Sequence, residues 1–348
     1  MTELCIDFRR CSYENKEIVE KVSAVLMSAA VLCTGAATVL PQVAESGIEA
    51  QAAGNSFASA AQINVNQSYT DSISRKNEVD YYRFTLNSDS KISVSCLHDY
   101  VDKNYPFLCL TIYRDNNSID RMYYTYFYFN VRSSQTINLG LPKGTYFIEF
   151  EAANWNSMDY TFKVNASSTS SWEKEFNNSY NSANSISLNK NYNGVMQDRN
   201  DEDYYCFTLN NDSKVNVSCS HDYVDKNYPY LCMTIYRDNN SIDEMYYTYF
   251  YFNVKSSQTI NLGLPKGKYY LKFESANWNS MDYSFIVNAT AASNWETEKN
   301  DNYNTADVIS INKNYNGLLQ NSNDDDCYRF NMTSNSEMYL RQHRTKTA

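Results

Sequence analysis

The chain has 348 residues, 15% aromatic and 20% charged, with 32 Tyr but only nine Gly and five Pro. That mixture is too apolar for wholesale disorder and too rich in Tyr for a helical bundle; Tyr, Phe, Val, Ile and Thr among polar Asn and Ser favour strands joined by polar turns. A formal net charge of −10 argues against nucleic acid as a partner, because phosphate repels an acidic surface.

The first element in chain order has the pattern of a targeting segment. Arg9, Arg10, Lys16 and Lys21 precede an uncharged run from Val22 to Ala44, and Ala50-Gln51-Ala52 offers a small-x-small cleavage site. Residues 1–52 therefore predict a helical secretory signal segment. The alternative is an uncleaved membrane anchor, since the run approaches bilayer length. Both readings place the remainder outside the cytoplasm.

The rest of the chain repeats itself. "HDYVDKNYP" stands at 98–106 and 221–229, "SSQTINLGLPKG" at 133–144 and 256–267, and "ANWNSMDY" at 153–160 and 276–283, each offset by 123 residues (98 and 221, for example). That period is too long for a solenoid unit and suits a whole domain. A third copy begins at Trp295 and stops near Leu340, followed by an unmatched "RQHRTKTA". The expected organisation is a leader over 1–52, a first copy over 53–169, a second over 170–292, a truncated third over 293–340 and a tail over 341–348.

Within one copy, short segments alternate with period two. Tyr82, Phe84 and Leu86 share a face, as do Ile92, Val94 and Cys96, and then Leu108, Leu110 and Ile112. Turn residues separate them, including Leu141-Pro142-Lys143-Gly144. The pattern predicts an all-β protein: tandem antiparallel β-sandwiches. Parity puts Cys96 inside and Cys109 outside, so no Cys96–Cys109 or Cys219–Cys232 disulfide is expected. Cys206 and Cys327 belong to no repeated framework.

"MYYTYFYFNV" stands at 122–131 and again at 245–254. It is too short for a membrane helix. Alternation gives a core face of Tyr123, Thr125, Phe127, Phe129 and Val131, and an outer face of Met122, Tyr124, Tyr126 and Tyr128. Tyr124, Tyr126 and Tyr128, with Tyr247, Tyr249 and Tyr251, are candidate ligand-binding residues, because Tyr combines broad contact area with a hydroxyl. Lateral packing along the sheet is the alternative and needs no ligand.

Three features in order resemble the bacterial pre-peptidase C-terminal domain family, which includes the collagen-binding domains of clostridial collagenases. They are the acidic-Asn lead-in "WEKEFNNSYNSANSI", the strand "DEDYYCFTL", and the hairpin "LPKGKYYLKF" ending in "YSFIVNA". The resemblance covers almost all of 53–340. It implies jelly-roll-like sandwiches on a secreted protein, usually as an appendage to an enzyme. It also implies calcium, held by Glu173, Glu175, Asn177, Asn178, Asp198, Asp201 and Asp203 in copy two. In copy three the set is Glu296, Glu298, Asn300, Asp301, Asp324 and Asp326. The chemistry agrees: calcium takes six to eight oxygens, and carboxylates converging without a cation repel one another. A solvated acidic linker is the alternative. Copy one has Ala50, Ala52 and Gly54 at the lead-in positions, so no metal is expected there.

No His-Glu-x-x-His, Gly-x-Ser-x-Gly or phosphate loop is present. Two nearly identical copies suit multivalent binding. The expected function is a secreted, non-catalytic module that binds an extracellular polymer or protein through the Tyr faces, with calcium at the domain junctions. The partners exclude nucleic acid, and exclude membrane beyond an uncleaved anchor. The alternative is a structural spacer or folding appendage of a secreted peptidase, including a truncated gene product.

Overall fold

A computed structural model describes residues 3–6, 48–49, 53–75, 78–98, 107–115, 118–128, 135–153, 158–197, 200–221, 230–251, 258–276, 281–320, 323–335 and 337–341. The chain opens with β1 (Glu3–Ile6) and the two-residue β2 (Ile48–Glu49). Copy one then runs β3 (Ala61–Gln62), β4 (Ser68–Ile73), β5 (Val79–Leu86), β6 (Ser90–His98) and β7 (Phe107–Asp115). It ends with β8 (Ile119–Tyr128), β9 (Gln135–Leu141), β10 (Gly144–Ala153) and β11 (Met158–Ser168). Copy two repeats this as β12 (Asn184–Ser185), β13 (Asn191–Met196), β14 (Glu202–Leu209), β15 (Ser213–His221) and β16 (Tyr230–Asp238). It closes with β17 (Ile242–Tyr251), β18 (Gln258–Leu264), β19 (Gly267–Ala276) and β20 (Met281–Ala291). Copy three keeps β21 (Asp307–Val308) and β22 (Tyr328–Asn331).

Each full copy is a two-layer β-sandwich. In copy one, one sheet has the order β3-β5-β10-β7-β8 and the other β2-β4-β11-β6-β9. In copy two the sheets are β12-β14-β19-β16-β17 and β13-β20-β15-β18. The long pairings are antiparallel, and β3 and β12 add in parallel beside β5 and β14. Period-two alternation fills the space between the layers as expected. Tyr82, Phe84, Ile92, Val94, Cys96, Leu108, Leu110 and Ile112 are all wholly buried. Aromatic rings form the centre, with Tyr82 4.6 Å and Phe150 4.9 Å from Phe162 between ring centroids. Cutting Phe162 to Ala would cost about 3–5 kcal/mol.

Two expectations change. Met122, assigned to the outer face, is buried with Tyr123 in the core cluster. The cause is a register shift where β7 meets β8 between Ile112 and Tyr113: the extra residue turns two consecutive side chains inward. Cys109 does point away from the core, yet it is only 5% exposed, because Tyr124 lies over it with its hydroxyl 3.6 Å from the sulfur. Cys96, Cys109, Cys206, Cys219, Cys232 and Cys327 are free thiols.

The described residues include no α-helix, and none is long and apolar enough to cross a membrane. The run 22–44, where a helical segment is expected, lies outside them. Within the expected leader, β1 pairs antiparallel with β22 on the side that β19 takes against β14. Copy three leaves Tyr303, Val308 and Tyr339 exposed by 71%, 65% and 83%, which fits a copy with few strands to cover them.

Candidate metal centre and aromatic faces

The stretch before each later copy runs extended and docks on the copy before it. Trp172 bridges in parallel to Asn193 of β13, and the Glu173 amide donates to the Asn193 carbonyl at 2.9 Å. The Glu175 amide reaches back to the carbonyl of Gly140 on β9, at 3.0 Å. Gly140 must lack a side chain here, since a Cβ would overlap the Glu173 carbonyl and the Trp172 ring. Lys91 of copy one lies over that ring, 4.1 Å from its centroid, and Lys174 meets Asp89 at 3.3 Å. The second junction repeats the device: the Glu298 amide donates to Gly263 at 2.9 Å, and Lys214 lies 4.3 Å from the Trp295 ring centroid.

An extended segment sends alternate side chains to opposite sides. Glu173, Glu175 and Asn177 therefore point inward and are 1%, 2% and 0% exposed, while Lys174, Phe176 and Asn178 face water. The start of β14 brings up Asp201 and Asp203, also buried. Glu173, Glu175 and Asp203 each place an oxygen within 4.8 Å of the others. Some of these oxygens are held by protein donors. Glu173 accepts the Val195 amide at 2.5 Å and the Tyr205 hydroxyl at 3.1 Å, Glu175 accepts the Gln197 side-chain amide, and Asp201 accepts the Gln197 backbone amide at 2.7 Å. Others are left over: Glu175 Oε2, Asp203 Oδ1 and both amide atoms of Asn177 are buried with no hydrogen-bond partner among the described residues.

Burial, and then the charge of neighbouring carboxylates, pushes the carboxyls of Glu173, Glu175 and Asp203 well above their usual range. Copy three repeats the arrangement in a more open form. Glu298, Asp301 and Asp324 gather within 4.8 Å, beside buried Glu296, Asn300 and Asp326. Burial first, and adjacent carboxylates second, raises Glu296 to about 9 and Glu298 to about 8. Asn300 again has no partner for either amide atom, nor has Asp326 Oδ1. Two groups of acidic residues could thus hold a metal ion. Hard oxygen donors with unspent lone pairs and unbalanced negative charge fit a divalent cation. Of the residues expected here, Asn178 stands outside the cluster and Asp198 lies outside the described residues.

Copy one closes the same place in another way. Gly194 and Gly317 are equivalent positions in copies two and three, and a Cβ at either would collide with the lead-in glutamate, Glu173 or Glu296. Copy one lacks that glutamate and carries Asp71 there instead. Tyr82 donates to Asp71 Oδ2 at 2.7 Å, where its counterpart Tyr205 donates to Glu173. Tyr82 also lies 2.9 Å from Tyr160, which donates to Asp80 at 2.7 Å. The Gly-to-Asp exchange was visible by comparing copies, but its meaning needed the spatial contact with the lead-in.

That cluster makes three short oxygen contacts with only two hydroxyl protons; when Asp80 is protonated the direction of its bond reverses, so that Asp80 donates to Tyr160, Tyr160 to Tyr82 and Tyr82 to Asp71, and all three contacts are filled. Burial raises Asp80 to about 6, against the pull of the Tyr160 hydrogen bond. A raised carboxyl gives stability below its unfolded value that is lost as pH rises through the folded one. Between pH 4 and 7, wild type should lose on the order of 1–2 kcal/mol that Asp80→Asn keeps, since an amide donates at either pH. Urea denaturation of both at the two pH values measures this; parallel losses would contradict it.

The outer sheet faces carry the tyrosines. Tyr124 and Tyr126 are 43% and 38% exposed, with ring centroids 5.0 Å apart in an edge-to-face pair. Tyr247 and Tyr249 repeat it at 40% and 37% exposure and 4.8 Å. Tyr128 and Tyr251 end their strands, with side chains outside the described set. Next to the pair, a second aromatic group sits edge-on: Phe57 among Tyr81, Tyr113 and Phe147, and Tyr180 among Tyr204, Tyr236 and Tyr270. Those rings pack against the sheet; Tyr230 meets Tyr249 edge-on at 4.9 Å, and both tyrosine pairs keep more than a third of their surface exposed.

No family model matches the chain, and no curated protein matches it. Solved structures with partial likeness include the pre-peptidase C-terminal domain of a Bacillus anthracis collagenase. It is 17% identical, covers 30% of this chain and 91% of that one, and has a TM-score of 0.24. Another is the tandem CBM22-1–CBM22-2 region of Paenibacillus barcinonensis Xyn10C, at 11% identity, 65% and 92% coverage and a TM-score of 0.25. A truncated AlyQ with CBM32 and alginate lyase domains follows, at 10%, 65% and 92%, and 0.20.

Proposed function

We propose that this chain is a secreted, non-catalytic tandem module that holds an extracellular polymer or protein through the outer faces of copies one and two. One observation carries the reading: the same partly exposed edge-to-face tyrosine pair stands on the same strand of both copies. Exposed aromatic pairs that the fold does not cover are suited to ligand contact, and two linked faces raise the effective concentration of the second contact.

Calcium belongs to this reading as a resident ion of the junctions. Glu173, Glu175, Asn177, Asp201 and Asp203 would hold it in copy two, and Glu296, Glu298, Asn300, Asp301, Asp324 and Asp326 in copy three. When bound it supplies positive charge where buried carboxylates otherwise face one another. The chain's own residues then fix the lead-in: its amides bind the preceding copy and its carboxylates bind the ion.

The test removes one face at a time. Tyr124→Ala with Tyr126→Ala should leave the melting curve unchanged and weaken retention on a matrix or glycan surface about 100-fold, by loss of one of two linked contacts. A wild type retained by no protein, glycan or cell-wall fraction would defeat the reading. A second reading, a spacer that sets the distance between flanking parts, is favoured by the docking of each lead-in on Gly140 or Gly263. It predicts that the tyrosine variants change no retention while the junction variants change shape by small-angle scattering.

A further inference from the structure

On the outer face, strand register lays two rows across the sheet. In copy one they are Tyr124–Thr111–Glu149–Tyr81 and Tyr126–Cys109–Glu151. Thr111 and Cys109 are small and buried, Cys109 under the Tyr124 ring, and they separate a tyrosine wall on one side from a carboxylate wall on the other. Adjacent strands lie about 4.8 Å apart, which sets the walls about 10 Å apart. Glu149 accepts the Tyr113 hydroxyl at 3.2 Å, and neither glutamate has an ion-pair partner among the described residues.

Copy two has the same rows with two exchanges, Lys272 for Glu149 and Glu202 for the Val79 that pairs with Glu151. They read Tyr247–Thr234–Lys272–Tyr204 and Tyr249–Cys232–Glu274–Glu202. Lys272 occupies the place of Glu149. Its ammonium lies 2.7 Å from Glu202 and 2.8 Å from Glu274, and 5.9 Å from the Tyr204 ring centroid. Copy two therefore seats a cation of its own in the carboxylate wall. Copy one keeps a two-glutamate wall, with Glu151 matching Glu274, and among the described residues no cation forms an ion pair with it.

We propose that the outer face of copy one binds a cationic side chain, lysine or arginine, of a basic polypeptide. Glu149 and Glu151 pair with the charged head, and Tyr124 and Tyr126 cover its aliphatic stem. The sister copy points to the ligand, because at the place of Glu149 it seats an ammonium against Glu274, the counterpart of Glu151. A formal net charge of −10 favours the encounter with a basic partner. The inference rests on the binding reading above and narrows it to one copy and one charge.

The test is calorimetric titration of the full chain, in calcium, with hexalysine and with hexaglutamate. Glu149→Lys installs the residue that copy two already accommodates, and Glu337→Lys makes the same charge change on an exposed residue of copy three. Hexalysine should bind wild type and Glu337→Lys alike, bind Glu149→Lys at least tenfold more weakly, and gain affinity in Lys272→Glu. Equal binding to Glu149→Lys and wild type, or no binding of hexalysine, would overturn the proposal. If matrix retention falls in the tyrosine variants but not in Glu149→Lys, the binding reading stands and the cation assignment fails.

Discussion

Calcium should raise the melting temperature of this chain by about 10 °C, and Glu173→Ala with Asp201→Ala should remove the share that belongs to copy two. The size follows from linkage. An ion at 100 times its dissociation constant stabilises the folded state by about 2.7 kcal/mol, and each kcal/mol moves a domain of this size by several degrees. The direction follows from the buried oxygens that no protein donor satisfies. The pH dependence has a sign as well. Glu296 near 9, Glu298 near 8 and Asp326 near 6 have raised folded values. Without metal, their contribution is present at low pH and lost as pH rises through those values. The ion competes with those protons, so its stabilisation should be largest near pH 8 and fade toward pH 5. Melting curves with calcium and with chelator at both values check this; superimposable curves at pH 8 would contradict it.

The second large effect is a change in copy one that disables copy two. Gly140→Ala should weaken calcium binding at the copy-two centre by tenfold or more, although Gly140 contributes no ligand. The added Cβ meets the Glu173 carbonyl, which is backbone and has no rotamer to escape through. The lead-in must then move off β9, breaking the hydrogen bond from Glu175 to Gly140. Glu173 and Glu175 move with it, and displaced supports of a metal site typically lose 10–100-fold in affinity. Overpacking should also destabilise the junction by about 1–3 kcal/mol. Gly263→Ala should do the same to copy three and spare copy two. Calorimetric calcium titration of both variants decides the matter. Wild-type affinity in Gly140→Ala would show that the lead-in does not depend on its seat.

What the sequence disclosed, and what it withheld, follows the range of each interaction. Alternation is local, so Tyr82, Phe84, Ile92, Val94 and Leu110 could be assigned to the core from spacing alone. Met122 could not, because a bulge is a property of two strands in register and leaves no mark in one. Glu173, Glu175 and Asn177 were legible from the resemblance of the lead-in and from the need of converging carboxylates for a cation. Their burial was not, since it depends on β9 of the preceding copy. Asp71 is the clearest missed signal: its counterparts are Gly194 and Gly317, where a Cβ would overlap both a tyrosine, Tyr283 or Tyr328, and the lead-in glutamate that copy one lacks. The difference between Glu149 and Lys272 was equally visible in the letters. It gained meaning only when Glu202 and Glu274 were found around the lysine.

The central claim is that two tyrosine pairs hold an extracellular polymer or protein. Its most direct test is retention of residues 53–341, in calcium, on panels of matrix proteins, glycans and cell-wall fractions. Wild type is compared there with the variant carrying Ala at 124, 126, 247 and 249. Retention of wild type by at least one surface, lost in the variant at an unchanged melting temperature, is the predicted result. Equal retention of the two proteins would contradict it.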